Sequence, residues 1–418
     1  MMRTGTPDKN TQKKGTWRSY LFVLLLDLLA LAANQLAIHS STFADAYSQY
    51  VYRVLSLGIG SVTGLLPFSV VELLLYATIL FVLFDFVKQL RRALRVDAAC
   101  VHSERVSQDA PTHLLAAVAR PLLRFLGHLF LILSTLLVLY VFLCGINYHR
   151  TSFSEEAGLS VTLDEHGTVY DEADLIALCD YLVTEINDTE AQLDGPCIGQ
   201  TSETPKPSAA WLWHAGRTGQ RAMEKLGQRY RRLSGHYPFP KPILNTWILS
   251  VQQTTGVYSP FTVEANYNRD IAYYDIPFTI CHELSHLRGY MQEEEANFIG
   301  VLATIGADDL YFNYSGYVSA WVYAGNALAR IDSTAFATLY ARINARTRQD
   351  MLYNNAYWKQ FEGKPAEAHE QLNDAYLKMQ GQATGVRSYG HVTDLMLEYF
   401  VKNGTLTQCN SSAITVQP

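Results

Sequence analysis

His282, Glu283 and His286 stand in the order H-E-x-x-H. On a helix, positions i and i+4 share a face, so both imidazoles can reach one metal ion. Glu283 follows the first histidine and can face a water held by that ion. Zinc lowers the pKa of such a water toward ~7, and a neighbouring carboxylate can then take its proton. Residue frequencies alone would produce this pattern in a chain of this size with a probability of roughly 0.02, so the surroundings must carry weight. A catalytic zinc site needs a third protein ligand and an open position. Gly289 can turn the chain after the histidine helix, and Glu293, Glu294 and Glu295 then open a second apolar helix, Ala296 to Ile305. Acidic residues suit a helix N-terminus because they oppose the macrodipole. The triplet therefore has a capping role open to it, and one member can also close the metal site. The expected cofactor is one Zn2+ ion.

The elements around this motif can be read from periodicity. ILNTWILSV (243–251) and GVYSPFTVEANY (256–267) are rich in β-branched and aromatic residues, which favours strands. A strand edge beside the motif could bind extended peptide by pairing with it. Asp171 to Leu193 and Ala209 to Leu233 have helical spacing, with a loop-like stretch between them, and from Pro277 the pattern is helical almost to the end. The aromatic run 311–323 has helical spacing and reads as core. In GVRSYGHV (385–392), Tyr389, Arg387 or His391 could donate a hydrogen bond to a developing oxyanion. The plainer account of that stretch is a helix start after a glycine turn.

The chain that carries these elements has 418 residues, 49% hydrophobic and only 17% charged, with a net charge of −6. Average soluble proteins hold about 25% charged residues. This excludes a disordered chain and a basic nucleic-acid-binding domain, so no nucleic-acid partner is expected. The apolar residues concentrate in three runs, about 20–38, 67–87 and 126–146. Each is close to the ~20 residues that cross a hydrocarbon layer. Lys and Arg number five before Tyr20, one between 39 and 66, and seven between 88 and 124. The positive-inside rule then puts the N-terminus and the 88–124 loop in the cytoplasm, and everything after the third span outside.

INYHR, SPFTVEANYN, PFTICHELSHLRGYMQEEEANFIGVLA, YFNYSGYVSAWVYAGNAL and GVRSYGHVTDLMLEYF together resemble an uncharacterised bacterial membrane family, domain of unknown function 3810. The resemblance implies a plasma-membrane protein with three spans and an external domain of zinc-metallopeptidase type. EEEAN also looks like the E-x-x-A-D element of membrane gluzincins, in which the first Glu binds zinc and the Asp supports the site. That likeness implies Glu293 as third ligand and Asn297 in the supporting position, where Asn cannot supply the charge of an Asp. Glu294, about 100° round the helix, is the alternative ligand, and Glu295 is turned further away.

The sequence thus predicts three N-terminal transmembrane helices within residues 1–146, followed at 147–418 by a mostly helical α+β, zincin-like extracytoplasmic domain. The expected activity is a multi-pass plasma-membrane zinc metallopeptidase acting on peptide or protein substrates. Its metal ligands would be His282, His286 and Glu293, with Glu283 as general base. The alternative is a zinc-stabilised, non-catalytic envelope assembly or sensor module. The lipid bilayer is the other expected partner.

Overall fold

The computed structural model describes residues 9–101, 110–159, 171–195, 198–380 and 391–407. The chain opens with a long helix, α1 (Lys9–His39), then a short α2 (Ser41–Ala46), a π-helical turn (Tyr47–Tyr52) and α3 (Arg53–Thr63). Two more long helices follow, α4 (Val70–Val101) and α5 (Ala110–Leu143). The stretches Arg18–His39, Val70–Arg95 and Ala119–His149 are each long and apolar enough to cross a membrane. Their outward faces are Leu, Phe and Val, which lipid accepts and water does not. Asp85, inside the second of them, has partners in its own helix and in the third. Asp85 meets His128 of α5 at 2.8 Å and Gln89 at 2.9 Å.

The rest of the chain gathers where α1 and α5 end and α4 begins. Residues 39–66 look in the sequence like a bare connection, but α2, the π turn and α3 pack on the domain that follows. Tyr52 is buried. Thr63 Oγ1 donates to the Thr262 carbonyl at 3.0 Å. Glu264 accepts the Val70 and Val71 amides, so a sheet residue caps the N-terminus of α4.

The domain begins with α6 (Phe153–Glu156), α7 (Glu172–Ala191) and α8 (Ala209–Arg229). A three-stranded sheet comes next. β1 (Lys241–Pro242) runs parallel to β3 (Glu264–Tyr267), and β2 (Gly256–Ser259) runs antiparallel to it, giving the order β1-β3-β2. Residues 243–251 are not the expected strand. Only a helical turn, α9 (Trp247–Ser250), forms there. The Leu244 and Asn245 amides bind the Glu72 carboxylate at 2.8 and 2.9 Å and are therefore not offered to a ladder.

From α10 (Asp275–His286) onward the described residues are mostly helical: α11 (Glu293–Ile305), α12 (Leu310–Ile331), α13 (Ser333–Arg342), α14 (Ala345–Lys359), α15 (Lys364–Met379) and α16 (His391–Asn403). α11 is the centre of the core. Every residue from Glu295 to Ile305 is buried, with α8, α10, α12 and α16 packed around it. Each large aliphatic side chain so placed stabilises the fold by roughly 1.5–3 kcal/mol. The aromatic run is the first half of α12, with Phe312, Tyr314, Tyr317 and Trp321 in the core.

Candidate metal centre

The site is made where α10 stops and α11 starts. α10 ends at His286, and Gly289 follows with φ +82°, the left-handed region that favours glycine. A Cβ there would also press on Asn147 and Ser48, 3.1 Å away. The reversal lets Glu293, first residue of α11, face back toward the α10 histidines.

His282 and His286 bring their Nε2 atoms to 3.2 Å. Glu293 Oε2 lies 3.4 Å from the first, and Oε1 lies 3.9 Å from the second. One donor atom from each residue falls within 4.8 Å of the others, so the group could hold a metal ion. The Nδ1–H of His286 donates to the Tyr290 carbonyl at 2.7 Å, which leaves its Nε2 lone pair facing the centre. Burial, and then the charge of His282, push His286 down to about 4. Burial also opposes charge on His282 and Glu293, yet their mutual hydrogen bond prevails. It raises the imidazole and lowers the carboxyl.

Glu283 sits beside the cluster without joining it. Its carboxylate is buried, Oε2 has no hydrogen-bond partner, and burial pushes the group up to about 8. It fits there because of Gly256. A Cβ on that residue would lie 2.5 Å from Glu283 Oε1 and 2.8 Å from its Cγ. Only glycine lets the first residue of β2 approach so closely.

The acidic triplet divides its work. Glu293 faces the histidines. Glu295 is buried and accepts the Ser154 amide and hydroxyl at 2.9 and 2.6 Å, at the start of α6. Glu294 is outside the cluster. Asn297, one turn along from Glu293, is buried and adjoins His282, where it favours the protonated imidazole.

These residues open into a cavity of about 1160 Å³. β2, the outermost strand, forms one wall, and among the described residues no strand pairs with its free edge. Tyr140 and Cys144 from the end of the third apolar helix form another, and α15 crosses the cavity. The Tyr376 hydroxyl of α15 bonds those of Tyr140 and Tyr148 at 3.0 and 3.1 Å. Sequence reading missed this tyrosine trio, because its members are far apart in the chain and none sits in a motif. It also missed Gly256, whose one signal is a glycine opening a strand-like run. Arg387 and Tyr389 lie outside the described residues. His391 begins α16, half-buried, and does not line the cavity.

A family model described as "Protein of unknown function (DUF3810)" matches residues 47–397. The match spans His282, His286 and Glu293, and the chain belongs to this family. No curated protein and no solved structure matches it.

Proposed function

We propose that this family member is a membrane-anchored zinc metallopeptidase, with a zincin-like domain outside the cytoplasm that hydrolyses peptide bonds. The observation that carries the reading is the convergence of His282, His286 and Glu293 with a buried Glu283 beside them whose Oε2 has no hydrogen-bond partner. The donor set suits zinc. Zinc–ligand bonds of about 2.0–2.1 Å in a tetrahedron separate neighbouring donors by about 3.3–3.4 Å. The two closest donor pairs lie at 3.2 and 3.4 Å.

Zinc held by these three residues would supply a Lewis acid and a water of lowered pKa. The chain does the rest. Tyr290 fixes the His286 tautomer. Glu283 takes the proton of the attacking water, whose hydroxyl adds to the peptide carbonyl carbon. As the C–N bond breaks, Glu283 returns that proton to the leaving amine. The free edge of β2 holds the substrate extended. The external location rests on the Lys and Arg count, because the domain lies at the far end of α1 from the N-terminus.

A non-catalytic module stabilised by zinc is the rival. It leaves Glu283 without a use, although a buried, unpartnered carboxylate oxygen lowers stability. The test takes the full-length protein in detergent with zinc and a peptide library. Wild type and Glu283→Gln should both carry one zinc, and only wild type should hydrolyse. Equal hydrolysis by both, or none by zinc-loaded wild type, rules the peptidase out.

A further inference from the structure

The cavity reaches the ends of the apolar helices at two places. On one side, Tyr140 and Cys144 line it, and they belong to the last turn of α5 and the residue after it. On the other side, Pro260 and Phe261 line it at the tip of the β2–β3 hairpin. The next residues of that hairpin hold the membrane segments. Thr262 accepts from Thr63, and Glu264 caps Val70 and Val71, where the second apolar helix begins.

The surface beside the hairpin has the same level written on it. Tyr50, Val54, Val62 and Leu65 are 67–83% exposed along the π turn, α3 and the residues after it. Leu244 and Trp247 are 53% and 64% exposed next to the backbone that Glu72 holds. An apolar rim at the root of three apolar helices suits the headgroup boundary of a bilayer, which an aqueous surface does not offer.

β2 connects this level to the metal centre. It starts at Gly256, in contact with Glu283, and the hairpin tip at Phe261 is five residues on. At about 3.3 Å per residue, a peptide paired along its free edge covers that span in roughly 16 Å. Four buried residues that line the cavity also keep unpartnered polar atoms: Thr279 Oγ1, Glu283 Oε2, Asn297 Nδ2 and Ser319 Oγ. Buried groups of this kind call for a polar occupant such as a peptide backbone.

We infer that the cavity takes an extended segment lying directly outside a membrane span, so that its substrates are proteins anchored in the same bilayer. The inference rests on the peptidase reading of this site and names its substrate class. The bond cut lies within roughly ten residues of the substrate's own span, about five of them paired along β2 and its hairpin tip.

The test uses the full-length protein in nanodiscs with a synthetic peptide: one apolar span followed by a forty-residue mixed-sequence tail. Mass spectrometry reads the cut positions. At least tenfold more cutting in the first ten tail residues than in the last ten is expected. Cuts spread evenly along the tail, or equal cutting of the tail without its span, overturn the inference and leave the peptidase reading standing. A second arm does not need hydrolysis. Glu283→Gln protein is mixed with the same peptide bearing a photocrosslinker at tail position 5 or 35. Crosslinks to Phe261 or Tyr140 from position 5 alone support docking beside the span even where no cutting occurs and the peptidase reading fails. Crosslinks from both positions alike, or from neither, overturn it.

Discussion

Glu72 and Glu264 clasp the second apolar helix to the sheet in opposite directions. Glu264 reaches from β3 to the Val70 and Val71 amides at 3.1 and 2.9 Å. Glu72 reaches from α4 to the Leu244 and Asn245 amides at 2.8 and 2.9 Å. The pair fixes how the domain stands on its helices.

Removing one half of this clasp should be costly. Glu264 also pairs with Lys241, and both side chains are almost wholly buried. Glu264→Ala leaves that ammonium uncompensated, which destabilises by about 3–5 kcal/mol. Glu72→Ala removes the acceptor of two amides on exposed residues, at about 0.5–1.5 kcal/mol each. Thermal unfolding of the detergent-solubilised protein should rank the variants Glu264→Ala, then Glu72→Ala, then wild type in rising stability. A Glu264→Ala protein as stable as wild type would contradict the clasp.

The acidic triplet makes a separable prediction. Glu293→Ala should weaken zinc binding by more than the roughly 10–100-fold that losing an outer partner costs, and Asn297→Ala should fall within that range. Glu295→Ala should keep zinc and lose about 1–3 kcal/mol of stability, since Ser154 loses its acceptor. Metal analysis beside melting curves separates these effects. Zinc lost from Glu295→Ala and kept by Glu293→Ala would reverse the assignment.

Gly256→Ala tests the contact between strand and base. The added Cβ would stand 2.5 Å from Glu283 Oε1, so either β2 or the carboxylate must move. The variant should bind zinc as wild type does and lose hydrolysis by a factor of order 10²–10⁴, the weight of general acid–base catalysis. Full turnover in Gly256→Ala would mean that Glu283 need not sit where it does.

Asp275 lines the same cavity, and burial raises it from 3.8 to about 7. The folded protein thus keeps a proton that the unfolded chain releases between about pH 4 and 7. Its stabilising contribution is complete below pH 4 and is lost as pH rises through 7. Asp275→Asn cannot titrate, so its melting temperature should gain on wild type as pH climbs from 4 to 7 and hold steady above that. Comparing the two proteins isolates Asp275 from His286, whose lowered value acts in the opposite sense. A gap between the curves that does not change with pH would refute this.

The parts of this structure that sequence reveals are those with a strong period or a rigid spacing. Three apolar runs give three long helices. H-E-x-x-H gives one face of α10, and Gly289 before an acidic triplet gives the turn into α11. Between Ser41 and Thr63 the same reading fails for a physical reason. That segment buries Tyr52, Ser56 and Gly60 against protein and leaves Tyr50, Val54 and Val62 bare. In α3 apolar residues such as Val54 and Val62 look outward while Ser56 and Gly60 pack on protein, the reverse of the pattern that marks a helix with a protein-facing side. Residues 243–251 mislead in another way. Their composition favours a strand, and what prevents one is a carboxylate more than 170 residues away in the chain. The phase of the triplet is intermediate. Helical geometry says that neighbouring glutamates diverge, and only the packing of α11 on α6 turns Glu295 inward and Glu293 toward the histidines.

One contact sets where this protein can be divided. The Tyr52 hydroxyl donates to the carbonyl of His286 at 3.1 Å and meets the hydroxyl of Tyr258 at the same distance. A residue between the first two membrane helices therefore props both the last residue of α10 and the strand beside it. A fragment begun after the third helix, at residue 147, loses that prop together with Thr63, Glu72, Tyr140 and Cys144. Splitting the gene there would produce a piece that carries the H-E-x-x-H motif and lacks the cavity wall made by Tyr140 and Cys144. The smallest unit that keeps the site whole includes the helices in the bilayer.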